Sequence, residues 1–399
     1  MLTRIYNISK IYTWNKNNNS LDIHCNKEIL IDNGIICEIN DTITKKVQKE
    51  INANQSILTP GFIDTHTHPV FSGNRSNEYI MRLKGNSYKY IKEKGGGIIS
   101  TIKSTRESDF NSLFDITYSN IQPFISCGTT TMEAKSGYGL TLKDEIKSLQ
   151  ILKKINSNSD IDILSTFLGA HDIPPEYKYN RNKYIDLICN DMIPEISNKN
   201  LAVFCDVFYE PGYFTIEESR KIIKQAKKYN LIPRLHVDEF VDSKGAEFAV
   251  EMGAISADHL MAVSDKGIDL LSKSKTVATI LPGTTFFLNS NNYANGRKMI
   301  DKGCTLSLAS DFNPGTCTIR SLPTIMHLAM QKCGLTLEEA FLGVTYNAAM
   351  AIGLDDKIGL IKVGYKADLI LWNLNELSEI TYWLDSSYTK ISKIFKNGN

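Results

Sequence analysis

From Ile57 onward the chain repeats one pattern: a short apolar run of β type, then an amphipathic stretch of helical period. Ile161–Leu168 precedes a helical stretch after Asn182, Ala202–Tyr209 precedes Ile216–Tyr229, and Pro233–Val237 precedes Ser243–Met252. Thr276–Leu281 and Thr305–Ala309 follow, the second ahead of a helix from Ser321. Strands separated by helices pair in parallel, because the crossover helix returns the chain to the same end of the sheet. Repeated over residues 60–346, the pattern predicts an α/β fold, a (β/α)8 TIM-like barrel. That span suits the usual ~250 residues plus insertions. Residues 1–59 read instead as short β segments: Leu2–Tyr6, Ile23–His24, Ile29–Ile31 and Ile35–Ile39, with Asp32-Asn33-Gly34 as a hairpin signal. β texture returns at Lys366–Trp372 and Ile391–Phe395.

A parallel barrel offers its reactive groups at the C-terminal ends of its strands. The chain has only 7 histidines, and most follow β runs. In Pro60-Gly61-Phe62-Ile63-Asp64-Thr65-His66-Thr67-His68 the two imidazoles are spaced i, i+2, so an extended chain points both to one face. His171 follows Ile163–Ala170; His236 follows Ile232–Leu235, with Glu239 three residues on; His259 follows Ala254–Asp258; Asp311 follows Leu306–Ser310. One histidine after an apolar run is ordinarily a hydrogen-bonded core residue. Five segments that aim ionisable groups at one rim describe a site. Imidazoles plus a carboxylate suit zinc or iron with an open position for water, whose pKa then falls from 15.7 toward roughly 7.

Other segments have the look of substrate machinery. Arg75, in Phe71-Ser72-Gly73-Asn74-Arg75, is either a bidentate carboxylate clamp or a surface arginine. Glu133–Leu140 sets Tyr138 in a turn flanked by glycines, and Asp311–Thr316 reads as a loop with exposed amides suited to an anion. Gly95-Gly96-Gly97 lacks the Lys-Ser/Thr of a phosphate loop and reads as a flexible turn ahead of a helix.

Bulk composition narrows the partners. Lysine plus arginine (45) nearly balances aspartate plus glutamate (44), so neither nucleic acid nor a membrane surface is expected as a partner. Met1–Asn19 lacks the apolar core of a secretion signal, which predicts a cytoplasmic protein. The 8 cysteines are scattered without a Cys-x-x-Cys pair and are expected as reduced thiols.

These blocks together resemble the amidohydrolase superfamily and, more closely, its imidazolonepropionase family. The matching stretches are Pro60–Arg75, Gly95–Thr101, Glu133–Leu140, Thr166–His171, His236–Phe240, Ser256–Leu260 and Asp311–Gly315, of which Ser136–Leu140 and Asp311–Gly315 are the specific ones. The resemblance implies hydrolytic opening of 4-imidazolone-5-propanoate to N-formimidoyl-L-glutamate, in histidine degradation. It implies one zinc or iron ion per subunit on His66, His68, His236 and Asp311. Arg75 would bind the propionate; Tyr138, His171 and Glu239 would contact the ring; Asn313, Gly315 and Thr316 would hold the new carboxylate end. His259 would polarise or relay, and the general base stays open among Glu239, His259 and Asp311. A homodimer is implied, as is a small composite β-sandwich made from residues 1–59 and 347–399 beside the barrel at 60–346. The chain departs from the family at Thr65 and Pro69, where cysteine and leucine are commoner, and at Thr316, where serine is. Asp172, in place of a small apolar residue, adds a charge that would raise the His171 pKa if close. Two other readings use the same residues: an amidohydrolase for a different cyclic amide or an amino-purine or pyrimidine, and an inactive scaffold, which should have lost metal ligands.

Overall fold

A computed structural model describes residues 1–86, 90, 94–384 and 386–399. Eight parallel strands neighbour one another in chain order: Phe62–Asp64, Thr129–Lys135, Asp162–Ala170, Phe204–Tyr209, Ile232–Val237, Ser256–His259, Val277–Ile280 and Leu306–Leu308. Their near-continuous burial is that of strands covered on both faces. The barrel closes just past the first and last strands. Asp311 N donates to His66 O at 3.0 Å, His68 N to Phe312 O at 2.8 Å, and Thr67 bridges Phe312 in parallel. Entry to the first strand requires Gly61, where a Cβ would lie 2.3 Å from Thr130 Oγ1.

The predicted barrel is therefore present, and most of its strands fall within a residue or two of their expected positions. Thr129–Lys135 is the strand that hydropathy hides. Its three consecutive threonines and its Glu133 and Lys135 look polar, yet every residue in it is buried. The helix expected after Asn182 begins at Arg181 and runs on through a wide turn at Ile188–Met192 to Asn198.

Beside the barrel stand two further sheets. One orders Ile391–Phe395, Leu369–Trp372, Ile57–Pro60, Lys10–Asn15 and Ser20–Cys25; the other orders Ile35–Asn40, Glu28–Asp32, Leu2–Tyr6 and Lys49–Asn52. They share a core of Ile5, Ile11, Ile29, Ile31, Leu58, Leu369, Leu371 and Phe395, so both ends of the chain build it. The predicted hairpin turn is at Asn33 and Gly34, both with positive φ as a two-residue turn of this hand requires. All eight cysteines are free, five of them buried. Among the described residues no helix is long and apolar enough to cross a membrane.

Candidate active site

His66 and His68 lie just beyond the assigned end of the first strand at Asp64, on chain kept extended by the pairing that closes the barrel. The alternation predicted from i, i+2 persists there: His66 Nε2 and His68 Nε2 are 3.2 Å apart. Asp311 Oδ1 is 3.5 Å from each. His236 and His259 complete the cluster from neighbouring strands, their ring centroids 4.4 and 5.5 Å from that of His66. Two overlapping triples result, His66–His68–Asp311 and His66–His236–His259, each with its ligand atoms within 4.8 Å of one another.

The donor set fits a cation. His66 Nδ1 is 2.7 Å from Asp258 Oδ2, so the ring proton belongs on Nδ1 and the lone pair of Nε2 faces His68 and Asp311. Nε2 of His236 and Nδ1 of His259 are buried without a hydrogen-bond partner among the described residues. Burial pushes the His66, His68 and His259 imidazoles well below their usual pKa, which keeps them neutral and able to ligate. Burial also lifts Asp311 to about 6. The other acidic group, Asp238 with Asp242 and Glu247, is of a different kind. Asp238 already accepts from Ser243 N, Ser243 Oγ, Gly245 N and Ala246 N, so its oxygens serve the turn.

Below the histidines lies a buried layer of charge that the sequence reading did not single out. Arg234 donates to Asp258 Oδ2 at 3.2 Å and to the carbonyls of Thr65 and Ala351 at 2.8 Å. Lys135 spans Glu133 Oε1 at 2.9 Å and Asp206 Oδ2 at 2.8 Å, and Asp206 Oδ2 is 3.0 Å from His236 Nδ1. All five of these charged side chains are completely buried. Burial opposes ionisation of Asp206, but the charges of His236 and Lys135 hold its carboxyl well below the usual range. His66 and His236 thus each meet a carboxylate that a buried cation anchors.

The cavity above has a volume of about 110 Å³, and its lining brings together His68, Arg75, Tyr138, His171, His236, Glu239, His259, Asp311, Asn313 and Thr316. His66 lies beneath this wall, fully buried. Gly315 stands behind Arg75: a Cβ there would fall 2.1 Å from Arg75 Nη1. The surface-arginine reading of Arg75 gives way, since its side chain is 10% exposed and faces the cavity. The expectation of exposed amides in the Asp311–Thr316 loop is also corrected. Gly315 N and Thr316 N both donate to Asn313 Oδ1, at 2.8 and 2.7 Å, because an asparagine in a tight loop caps its own backbone. His171 is pushed down to about 3 by burial first and by His236 next, so the rise that Asp172 would bring if close is not what sets it.

The loops that carry these groups are each held by a carboxylate. Glu145 accepts from the amides of Gly137, Gly139 and Leu140, which fixes the turn that presents Tyr138. Glu210 accepts from the amides of Glu239, Phe240 and Val241 and so fixes Glu239. Glu239 Oε2 is 3.8 Å from His259 Nε2, and burial raises its pKa well above the usual range, helped by the charges of Asp311 and Glu210. Asp64, lifted to about 7 by burial, accepts from Ser310 N at 3.1 Å across the closing seam. The sequence signal for Glu210 is a single acid between Phe208-Tyr209 and the Pro211-Gly212 turn; Glu145, among Lys143, Asp144 and Lys147, carries none.

Comparison with known proteins agrees with this geometry. The profile of the Amidohydrolase family matches residues 57–399. The imidazolonepropionase of Brevibacillus brevis is 44% identical over 348 residues, covering 87% of this chain and 81% of that protein. That of Bacillus cereus is 42% identical over 384 residues, covering 96% and 90%. Among solved structures, a guanine deaminase from C. acetobutylicum with bound guanine has a TM-score of 0.75 at 18% identity, covering 100% of this chain and 99% of that one, a likeness of fold. Amidohydrolases depend on a metal, and the His/Asp cluster described above could hold one. The chain belongs to the amidohydrolase family and, within it, to the imidazolonepropionases.

Proposed function

We propose that this cavity opens the ring of 4-imidazolone-5-propanoate with water to give N-formimidoyl-L-glutamate, as a hydrolase of histidine degradation. One observation carries the reading: a convergent His/Asp cluster and the Arg75 guanidinium line the same small cavity. A hydrolytic centre and a carboxylate clamp are thereby set on one ring. His66, His68, His236 and Asp311 would hold one zinc or iron ion, which when bound supplies a water acidified toward neutral pH and polarises the carbonyl.

The chain's own groups do the rest. Arg75 takes the propionate by paired N–H donors. Tyr138 and His171, with ring centroids 5.2 Å apart, form one wall for the imidazolone. Water adds to the ring carbonyl carbon, with Asp311 receiving its proton. His259 faces the oxygen on which charge develops and donates to it. The carbon–nitrogen bond then breaks, and the proton passes to the departing nitrogen by way of Glu239. Asn313, Gly315 and Thr316 flank the new carboxylate, which completes the product.

Residues 1–59 and 347–399 are taken as one β domain and residues 60–346 as the catalytic barrel, in a cytoplasmic homodimer that binds neither nucleic acid nor membrane. The test is to strip the protein of metal, restore one equivalent of zinc or of iron, and follow the loss of imidazolone propionate beside dihydroorotate and guanine. Metal-dependent turnover of imidazolone propionate alone is expected. Turnover of either other ring in its place overturns the substrate assignment.

A further inference from the structure

Resting on the reading of Arg75 as the carboxylate clamp, we propose that Glu78 is the positioning residue that selects which edge of the Arg75 guanidinium the substrate meets. An arginine has two forked edges for a carboxylate: the side edge of Nε and Nη2, and the end edge of Nη1 and Nη2. In this structure the side edge is taken. Glu78 Oε2 is 2.8 Å from Arg75 Nε and 2.8 Å from Nη2. Among the described residues nothing bonds Nη1, Arg75 lines the cavity, and Gly315 leaves room for the end edge because it has no side chain to meet Nη1.

Glu78 is itself fixed on its other oxygen. Oε1 accepts from Gly97 N at 3.0 Å and from Ser100 Oγ at 3.4 Å, so the glycine turn before the helix Ile98–Glu107 is part of the clamp. One turn further along the helix Ser76–Leu83, Arg82 grips the Gly315 carbonyl with Nη1 and Nη2, both at 3.0 Å. Arg75, Glu78 and Arg82 therefore form one face of one short helix. That face sets the distance between the guanidinium and the loop that bears Asp311. A substrate carboxylate can dock only end-on, and the ring attached to it is aimed along one direction.

The sign of one measurement separates this role from a purely electrostatic one. Glu78 is an anion beside a site for an anion. Were its charge all that mattered, its removal would strengthen carboxylate binding. As a positioning residue, its removal frees the guanidinium to rotate, and one charge-assisted hydrogen bond to the ligand is lost, about a tenfold effect. The experiment uses the metal-loaded full chain with Glu78→Ala and Glu78→Gln, each first checked by thermal melting. Two readouts are taken: KM and kcat for imidazolone propionate, and calorimetric affinity for 3-(imidazol-4-yl)propanoate against its carboxamide.

The expected result is a KM raised about tenfold with kcat within a few fold, and a collapse of the preference for carboxylate over carboxamide, Glu78→Gln being the milder. A fall in KM, or a preference that survives in folded Glu78→Ala, overturns the proposal. Failure of the wild-type protein to open imidazolone propionate, with the carboxylate preference still present and still dependent on Glu78, overturns the substrate assignment and leaves the clamp standing.

Discussion

Replacing Asp258 with asparagine tests how the cluster is made ready for a metal. Asp258 Oδ2 accepts from His66 Nδ1 at 2.7 Å and from Arg234 Nη2 at 3.2 Å, and all three side chains are fully buried. Both bonds go to the one oxygen, so an asparagine keeps them with its amide oxygen in that place and removes the charge. His66 keeps its proton on Nδ1 and its Nε2 lone pair toward His68 Nε2, 3.2 Å away, but a neutral amide leaves the imidazole a weaker base than a carboxylate does. Loss of such an outer partner costs about 10–100-fold in metal affinity, equivalent to about 1.4–2.8 kcal/mol. The fold pays separately, because Arg234 keeps its two carbonyls but loses its anion; breaking a buried pair costs about 3–5 kcal/mol. The assay is competition of the metal-free protein with a chromophoric chelator for zinc, beside melts of both metal-free forms. A folded Asp258→Asn protein that holds zinc within twofold of wild type refutes the idea that the Asp258 charge readies His66.

Three further outcomes are expected. His68→Ala should stay folded yet retain no metal by elemental analysis and show no turnover; unchanged turnover would remove His68 from the ligand set. Arg75→Lys should raise KM about tenfold with a smaller change in kcat, since a lysine offers no fork; an unaffected KM would take Arg75 out of the site. Asp162 joins the barrel to the C-terminal strand through Lys396 Nζ at 2.8 Å and Lys366 Nζ at 3.1 Å. Burial opposes ionisation there, but the two lysines hold its carboxyl below the ordinary range. A depressed carboxylate stabilises the fold above its unfolded pKa of about 3.9 and loses that contribution as pH falls through the lower folded value. The melting difference between wild type and Asp162→Asn should therefore be full at pH 7 and shrink below about pH 4; a difference constant down to pH 3 would show that charge is not its source.

Much of this site is visible in the sequence because rare residues are placed by simple periods. His66 and His68 are legible from alternation alone, and His236, His259 and Asp311 from their place after apolar runs. The ligand set and the pocket roles came from family likeness. The supporting layer escaped for a physical reason. Lys135, Glu133 and Asp206 are ordinary charged residues in sequence, and only the barrel interior, into which two strands point them, turns them into a network. The same holds for Glu145 and Glu210, whose partners are backbone amides that leave no mark in composition. The strand Thr129–Lys135 was missed because a polar strand with internal partners does not look buried.

The pairing of Ile57–Pro60 with Leu369–Trp372 fixes an order of events during synthesis. Trp372 Nε1 reaches Thr59 Oγ1 across 313 positions of chain. At ~5–20 residues per second, the nascent protein spends roughly 15–60 s with the Ile57–Pro60 edge uncapped and Leu58 short of its partners. An unpaired apolar edge of that kind is what chaperones bind and what chains aggregate through. The barrel's first strand leaves directly from this segment by way of Gly61, so its anchorage at the base is completed only when the last stretch of chain leaves the ribosome. Truncation before Leu369 should then strike solubility, although no described residue from there on lines the cavity.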